Sequence, residues 1–228
     1  MRAVLGIDTA SRHGSVALAI DGVAAEHALL EPGGHSSRLS GAASSLLAAR
    51  SLDWHALDGV AVAEGPGSFT GLRVGLAWAK GLVTGLDIAL ALVPSHEAHA
   101  RAARDRAAAL VTVLPGERGH LQVAFWEGGP EVALLWGPIS IPQEELAATL
   151  LDRVEGRPGT LPRVIAPELP GPMTESLTAR GFALLPPGPV APAVAELGDR
   201  MIREGRTADR VAAAPAYGRA ANARRSVR

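Results

Sequence analysis

The chain contains no cysteine. That excludes disulfides, thiolate metal sites and a cysteine nucleophile, and a reducing compartment is the natural setting. Aromatic residues make up only 4% of the chain, with a single tyrosine. The tryptophans at 54, 78, 126 and 136 are not interleaved with basic residues as a base-stacking array requires. No run of about 18 apolar residues is available to cross a bilayer. Asp8, Arg12 and His13 interrupt the apolar start that a secretory leader needs, so the expected location is the cytoplasm. Lysine is nearly lacking too: Lys80 stands alone and arginine supplies the other basic side chains. Neither Gly-Lys-Ser/Thr nor Gly-x-Gly-x-x-Gly occurs, and Gly-x-Ser-x-Gly is absent, so Ser11, Ser36, Ser37 and Ser68 have no recognised nucleophile context.

What is present is material for a packed core. In 228 residues, 47% are hydrophobic and 20% charged, enough for one large domain or two small ones. The formal net charge of −1 hides an asymmetry. From Arg206 onward six arginines stand against Asp209, so the last segment carries +5 and the remainder −6. A basic tail of that kind suits nucleic acid or an acidic partner, although solvated termini are the commoner case.

Residues 3–7, 15–20 and 22–29 read as three strands, with Asp21-Gly22 as a hairpin turn between the last two. Leu39, Ala43, Leu46 and Leu47 recur at helical spacing in 35–50, and a strand at 59–64, a helix at 70–86 and a strand at 88–93 follow. The second half repeats this in weaker form: strands at 109–114, 120–126 and 131–136, a hairpin turn at 127–130, a helix at 143–153, a strand at 163–166 and a helix at 192–204. Residues 153–192 are rich in proline and glycine, so short elements are expected there. Three hairpin strands followed by helix, strand, helix, strand is the order of a ribonuclease-H-like unit. The expected architecture is α/β with two such units, 1–98 and 99–205, and a basic tail over 206–228.

The most informative word is Gly65-Pro66-Gly67-Ser68-Phe69-Thr70-Gly71-Leu72-Arg73-Val74-Gly75-Leu76, which joins a strand to a helix. Free amides at such a junction can meet an anion or a partner chain. Together with Ile7-Asp8-Thr9-Ala10, His35-Ser36-Ser37-Arg38-Leu39 and Lys80-Gly81-Leu82, it closely resembles the bacterial TsaB (YeaZ) family. Pro215-Ala216-Tyr217-Gly218-Arg219 is similar to the Pro-x-Tyr-x-Arg that closes many members. The chain departs from the family at Leu114-Pro115-Gly116-Glu117-Arg118-Gly119-His120, where members tend to carry Asp-Ala-Arg.

The resemblance implies the duplicated actin-like (ASKHA) fold and a role in making threonylcarbamoyladenosine on tRNA. It implies a non-catalytic scaffold that pairs with the catalytic subunit TsaD, works alongside TsaE, forms a homodimer when alone and meets tRNA through the complex. No intrinsic cofactor is implied, ATP and Mg²⁺ entering through the complex. His35 and Arg38 at the start of the first long helix are implied partner contacts.

Gly67, Gly71, Gly75 and Ala79 fall at successive i+4 positions. Interior helix glycines cost about 0.8–1 kcal/mol each relative to alanine, so something should pack unusually close. Either the helix at 36–50 does so, or this face is offered to another subunit; the resemblance favours the partner surface. Asp8 and Glu64 end neighbouring strands and are candidates for holding Mg²⁺ near a phosphate, with Ser68 and Thr70 as further nucleotide contacts. The competing reading has Asp8 bonding its own turn. An independent ATPase or phosphotransferase would use Asp8 and the 65–70 loop. A glycoprotease-like metallopeptidase finds no support in the residues. His96 and His99 stand three apart with no third ligand nearby, which reads as helix-surface histidines, and no metal is assigned.

Overall fold

The computed structural model describes residues 1–30, 35–103, 109–129, 131–154, 161–186 and 188–217, and the backbone alone of 35–37. Pro130, the side chains of His35, Ser36 and Ser37, and the arginines at 219, 224, 225 and 228 lie outside the described side chains.

The first sheet has the order β3-β2-β1-β4-β5, from β1 (Ala3–Asp8), β2 (Gly14–Ile20), β3 (Val23–Leu30), β4 (Gly59–Gly65) and β5 (Ala89–Pro94). Asp21 and Gly22 both take positive φ, 49° and 84°, the left-handed pair that a two-residue hairpin demands. β1 pairs antiparallel with β2 and parallel with β4, which runs parallel to β5. Helices α1 (His35–Ala49) and α2 (Phe69–Leu86) make the crossovers. Both cover one face, where Leu5, Ile7, Val60 and Val62 meet Leu39, Leu47, Leu76 and Val83.

The other face is lined by small residues and is covered from far along the chain. Helix α6 (Ala191–Arg203) lies on it, Ala191 and Ala195 against Ala17 and Ala19. A Cβ at Gly6 would come within 2.5 Å of the Ala195 nitrogen, so glycine there sets how close helix and sheet can come.

The second sheet repeats the first. Its order is β10-β9-β6-β7-β8, from β6 (Leu110–Pro115), β7 (His120–Glu127), β8 (Ala133–Pro142), β9 (Arg163–Ile165) and β10 (Leu184–Leu185), with α4 (Leu146–Val154) and α5 (Gly171–Ala179) between the later strands. α5 and β10 fall in the proline- and glycine-rich stretch, and β8 runs six residues beyond the expected end at 136. The chain therefore has the duplicated ribonuclease-H-like, actin-like architecture.

Helix α3 (Ser95–Ala102) follows the first sheet, yet its Ala100 packs with Leu110, Ala124 and Trp126 of the second. α6 closes the second unit in sequence but lies on the first sheet, so a division at residue 98 cuts across the packing of both helices. Arg200 pairs with Glu97 of α3 at 3.1 Å and with Glu131 at 3.3 Å. Among the described residues no helix is long and apolar enough to cross a membrane.

Candidate functional site

Ser68 caps α2, its Oγ accepting from the Gly71 amide at 3.2 Å, and its own amide donates to the Ala10 carbonyl at 2.7 Å. This draws the loop after β1 onto the helix. Thr9 Oγ1 donates to the Gly71 carbonyl at 2.7 Å. A Cβ at Gly67 would sit 2.6 Å from the Ala10 carbonyl oxygen, one at Gly71 would strike the Thr9 carbonyl oxygen, and one at Gly75 would strike Thr9 Oγ1. The glycines do admit a close backbone, but it is the chain's own Thr9–Ala10. Gly71, Gly75 and Ala79 are buried and Gly67 is half-buried. The expectation that these four line a partner surface is thus corrected for Gly71, Gly75 and Ala79, and the helix at 36–50 is not what fills the groove.

The outer faces of α1 and α2 are different. At Gly41, Gly81 and Gly85 nothing among the described residues lies within 4 Å of the place a Cβ would occupy, and Arg38, Ser44, Ala48, Ala77 and Thr84 are exposed. Trp78 Nε1 donates to Ser40 Oγ at 2.8 Å and ties the two helices together. Phe69, 55% exposed, stacks on Tyr217 with ring centroids 4.9 Å apart. Arg73 covers the Phe69 ring at 3.8 Å and donates through Nε to the Tyr217 hydroxyl at 2.8 Å.

The segment after α6 is docked rather than free. Ala208 N donates to the Leu90 carbonyl at 2.8 Å and Ala216 N to the Glu64 carbonyl at 2.7 Å. Arg210 pairs with Asp87 at 2.8 Å, and Lys80 Nζ donates to the Val211 carbonyl at 2.9 Å. Sequence reasoning treated 206–228 as one tail and missed this strap, whose only local signal was the Pro-x-Tyr-x-Arg word.

Asp8 is 1% exposed and folds back on its own turn, accepting from the Ala10 amide at 2.9 Å and Ser11 Oγ at 3.0 Å. The parallel register of β1 and β4 ends at Ile7 and Val62, and a bulge between Ala63 and Gly65 carries Glu64 out of regular alternation. Glu64 is half-buried, and burial raises its carboxyl above the usual carboxylate range. It lines a cavity between the two sheets that does not include Asp8. Thr70 is exposed and Ser68 is half-buried. Across the other end of the cleft, the Arg12 amide donates to Glu168 at 2.6 Å.

His96 and His99 are not on a helix surface. They are 3% and 6% exposed because α3 is enclosed between the sheets. Burial lowers His96 to about 3, with the neighbouring His99 adding to the effect, and burial lowers His99 to about 4. His96 Nδ1 meets Thr112 Oγ1 at 2.7 Å. Among the described residues no group of three or more His, Asp or Glu side chains is placed to hold a metal ion.

Comparison with known proteins agrees with this geometry. The tRNA threonylcarbamoyladenosine biosynthesis protein TsaB of Escherichia coli (strain K12) is 36% identical over 85 residues, covering 37% of either chain. The protein of the same name from Bacillus subtilis (strain 168) is 33% identical over 125 residues, 54% of this chain and 55% of that one. Over these segments the chain is similar to TsaB proteins. The matched segments span about half of these relatives' length or less. A family described as TsaD, tRNA N6-adenosine threonylcarbamoyltransferase, matches residues 22–131. YeaZ from Pseudomonas aeruginosa superposes with a TM-score of 0.71 at 21% identity, over 95% of this chain and all of that one, and so shares the fold.

Proposed function

We propose that the chain serves the biosynthesis of threonylcarbamoyladenosine on tRNA as a non-catalytic scaffold. In this reading it holds a TsaD-type catalytic subunit on the outer faces of α1 and α2, works with TsaE, and pairs with a second copy through the same face when alone. The observation that carries the reading is the set of glycines left unexplained inside the chain. Gly71 and Gly75 are accounted for by Thr9, whereas Gly41, Gly81 and Gly85 lie in helices with nothing among the described residues beside them. Each costs about 0.8–1 kcal/mol of helix stability relative to alanine, which a partner's close approach would offset.

The chemistry-bearing residues support the same reading. Asp8 is engaged by its own turn, and Glu64 faces a different space. The test is reconstitution of tRNA modification with a TsaD subunit and TsaE, with and without this chain, alongside binding of Gly81→Leu to TsaD. Modification should require the chain, and Gly81→Leu should weaken the pairing by roughly tenfold to a hundredfold, equivalent to about 1.4–2.8 kcal/mol, with an unchanged fold. ATP turnover by the isolated chain that Asp8→Asn abolishes would overturn the scaffold reading in favour of an independent ATPase.

A further inference from the structure

Between the two sheets lies a cavity of about 810 Å³, well inside the range that small-molecule sites occupy. Its walls are largely apolar, with Pro66, Pro94, Trp126, Leu134 and Ile139 among them. Among the described residues, the charged ones that line it are Glu64 and Glu97, with no lysine or arginine. Glu97 is already paired with Arg200 at 3.1 Å, whereas Glu64 makes no ion pair among the described residues.

His96 supplies a second unmet group. Thr112 Oγ1 donates to the Ala124 carbonyl at 3.4 Å and accepts the Trp126 indole N–H at 2.9 Å. The same hydroxyl meets His96 Nδ1 at 2.7 Å, a contact in which either group can donate. Among the described residues His96 Nε2 is buried without a hydrogen-bond partner, on a ring that is 3% exposed and lines the cavity. A buried polar nitrogen left unpaired is costly, and each such group in a folded chain calls for a partner.

Toward a ligand this largely apolar wall offers the Glu64 carboxylate, an acceptor, and the unmet His96 Nε2. We propose that this cavity binds a small organic cation, an amine or amidine carried on an apolar body, with its N–H groups donating to Glu64 and its body beside the His96 ring. An anion would enter a space with no basic side chain among the described residues to neutralise it and an acid already there. A cation would favour the ionised carboxylate that burial opposes. This inference stands independently of the scaffold reading, since it concerns the space between the sheets and not the outer faces of α1 and α2.

The intact chain should be titrated with benzamidine and, separately, with benzoate, which keeps the ring and reverses the charge. The readouts are the Trp126 indole N–H, assigned by its loss in Trp126→Phe, and the His96 ring signals. Benzamidine should move both saturably and benzoate neither. Glu64→Gln should weaken benzamidine by about tenfold or more with the thermal midpoint unchanged. Benzoate binding as well as benzamidine, or failure of both to bind, would overturn the proposal, and so would an unchanged affinity in a folded Glu64→Gln. Saturable zinc binding that displaces benzamidine and moves the His96 signals would also overturn it, in favour of a metal. The comparison of opposite charges uses the unsubstituted chain, so it holds even where a variant fails to fold.

Discussion

Gly71 and Gly81 sit on different faces of α2 and should answer the same substitution with opposite signs. A methyl at Gly71 meets the Thr9 carbonyl oxygen, backbone that cannot rotate aside, so Gly71→Ala should lose about 1–3 kcal/mol of unfolding free energy. Gly81 has nothing among the described residues within 4 Å, so Gly81→Ala should gain up to about 1 kcal/mol from helix propensity alone. Urea unfolding of the two variants decides it; equal effects would mean that the loop after β1 does not rest on the helix. Gly75→Leu belongs with Gly71, as a destabilised chain rather than a weakened pairing. The buried histidines set a pH dependence. Unfolded histidine titrates near pH 6.5, while burial holds His96 at about 3 and His99 at about 4. As pH falls below about 6.5 the unfolded chain binds protons that the folded chain refuses. The stability these two residues contribute is therefore full above that pH and declines with acidification until they protonate in the folded chain. Unfolding midpoints between about pH 7 and pH 4 should show this decline, and a folded His99→Gln should flatten it. A slope that survives the substitution would assign the effect elsewhere.

Among the elements, the strap over 206–217 separates two kinds of truncation. Removing everything after Tyr217 takes away Arg219, Arg224, Arg225 and Arg228 but none of the bonds from Ala208 to Leu90 or from Ala216 to Glu64. Thermal melting should be unchanged, and any salt-sensitive contact with RNA or the complex should weaken. Removing everything after Gly205 also strips those backbone bonds and the Arg210–Asp87 pair, and should lower the midpoint measurably by circular dichroism. A truncation after Tyr217 that failed to fold would show the remaining tail to be structural. Which elements were legible in the sequence follows from their signals. The Asp21-Gly22 hairpin, α1, α2 and the flanking strands announce themselves through turn chemistry and apolar period. α5 and β10 do not, because their apolar residues are few and fall among prolines. The glycines of α2 announced a close neighbour, but identifying it as Thr9, more than sixty residues from Gly71, requires the tertiary fold. His96 and His99 looked like surface residues because an eight-residue helix with Glu97 and Arg101 has no apolar face to betray its burial.

At the scale of the whole molecule, the two units are completed by each other's sequence. α6 supplies the cover for Val4, Ala61, Ala63 and Ala91 through Val194 and Leu197. A fragment of residues 1–103 should therefore fail to give the cooperative unfolding transition of the full chain, and a peptide spanning 188–217 should restore it. A fragment that unfolds cooperatively alone would make the first sheet self-sufficient. This reciprocity explains why the order of elements reveals the duplication while the chain position of α6 gives the wrong neighbour.

The seating of α6 also carries a sense of time. A ribosome adding about 5–20 residues per second needs roughly 4–18 seconds to pass from the end of α3 to the start of α6. Throughout that interval the nascent first sheet lacks the helix that covers its alanine-lined side. The half-made protein is thus a different physical object from the finished one, and its demand on chaperones is set by the distance in sequence between two helices.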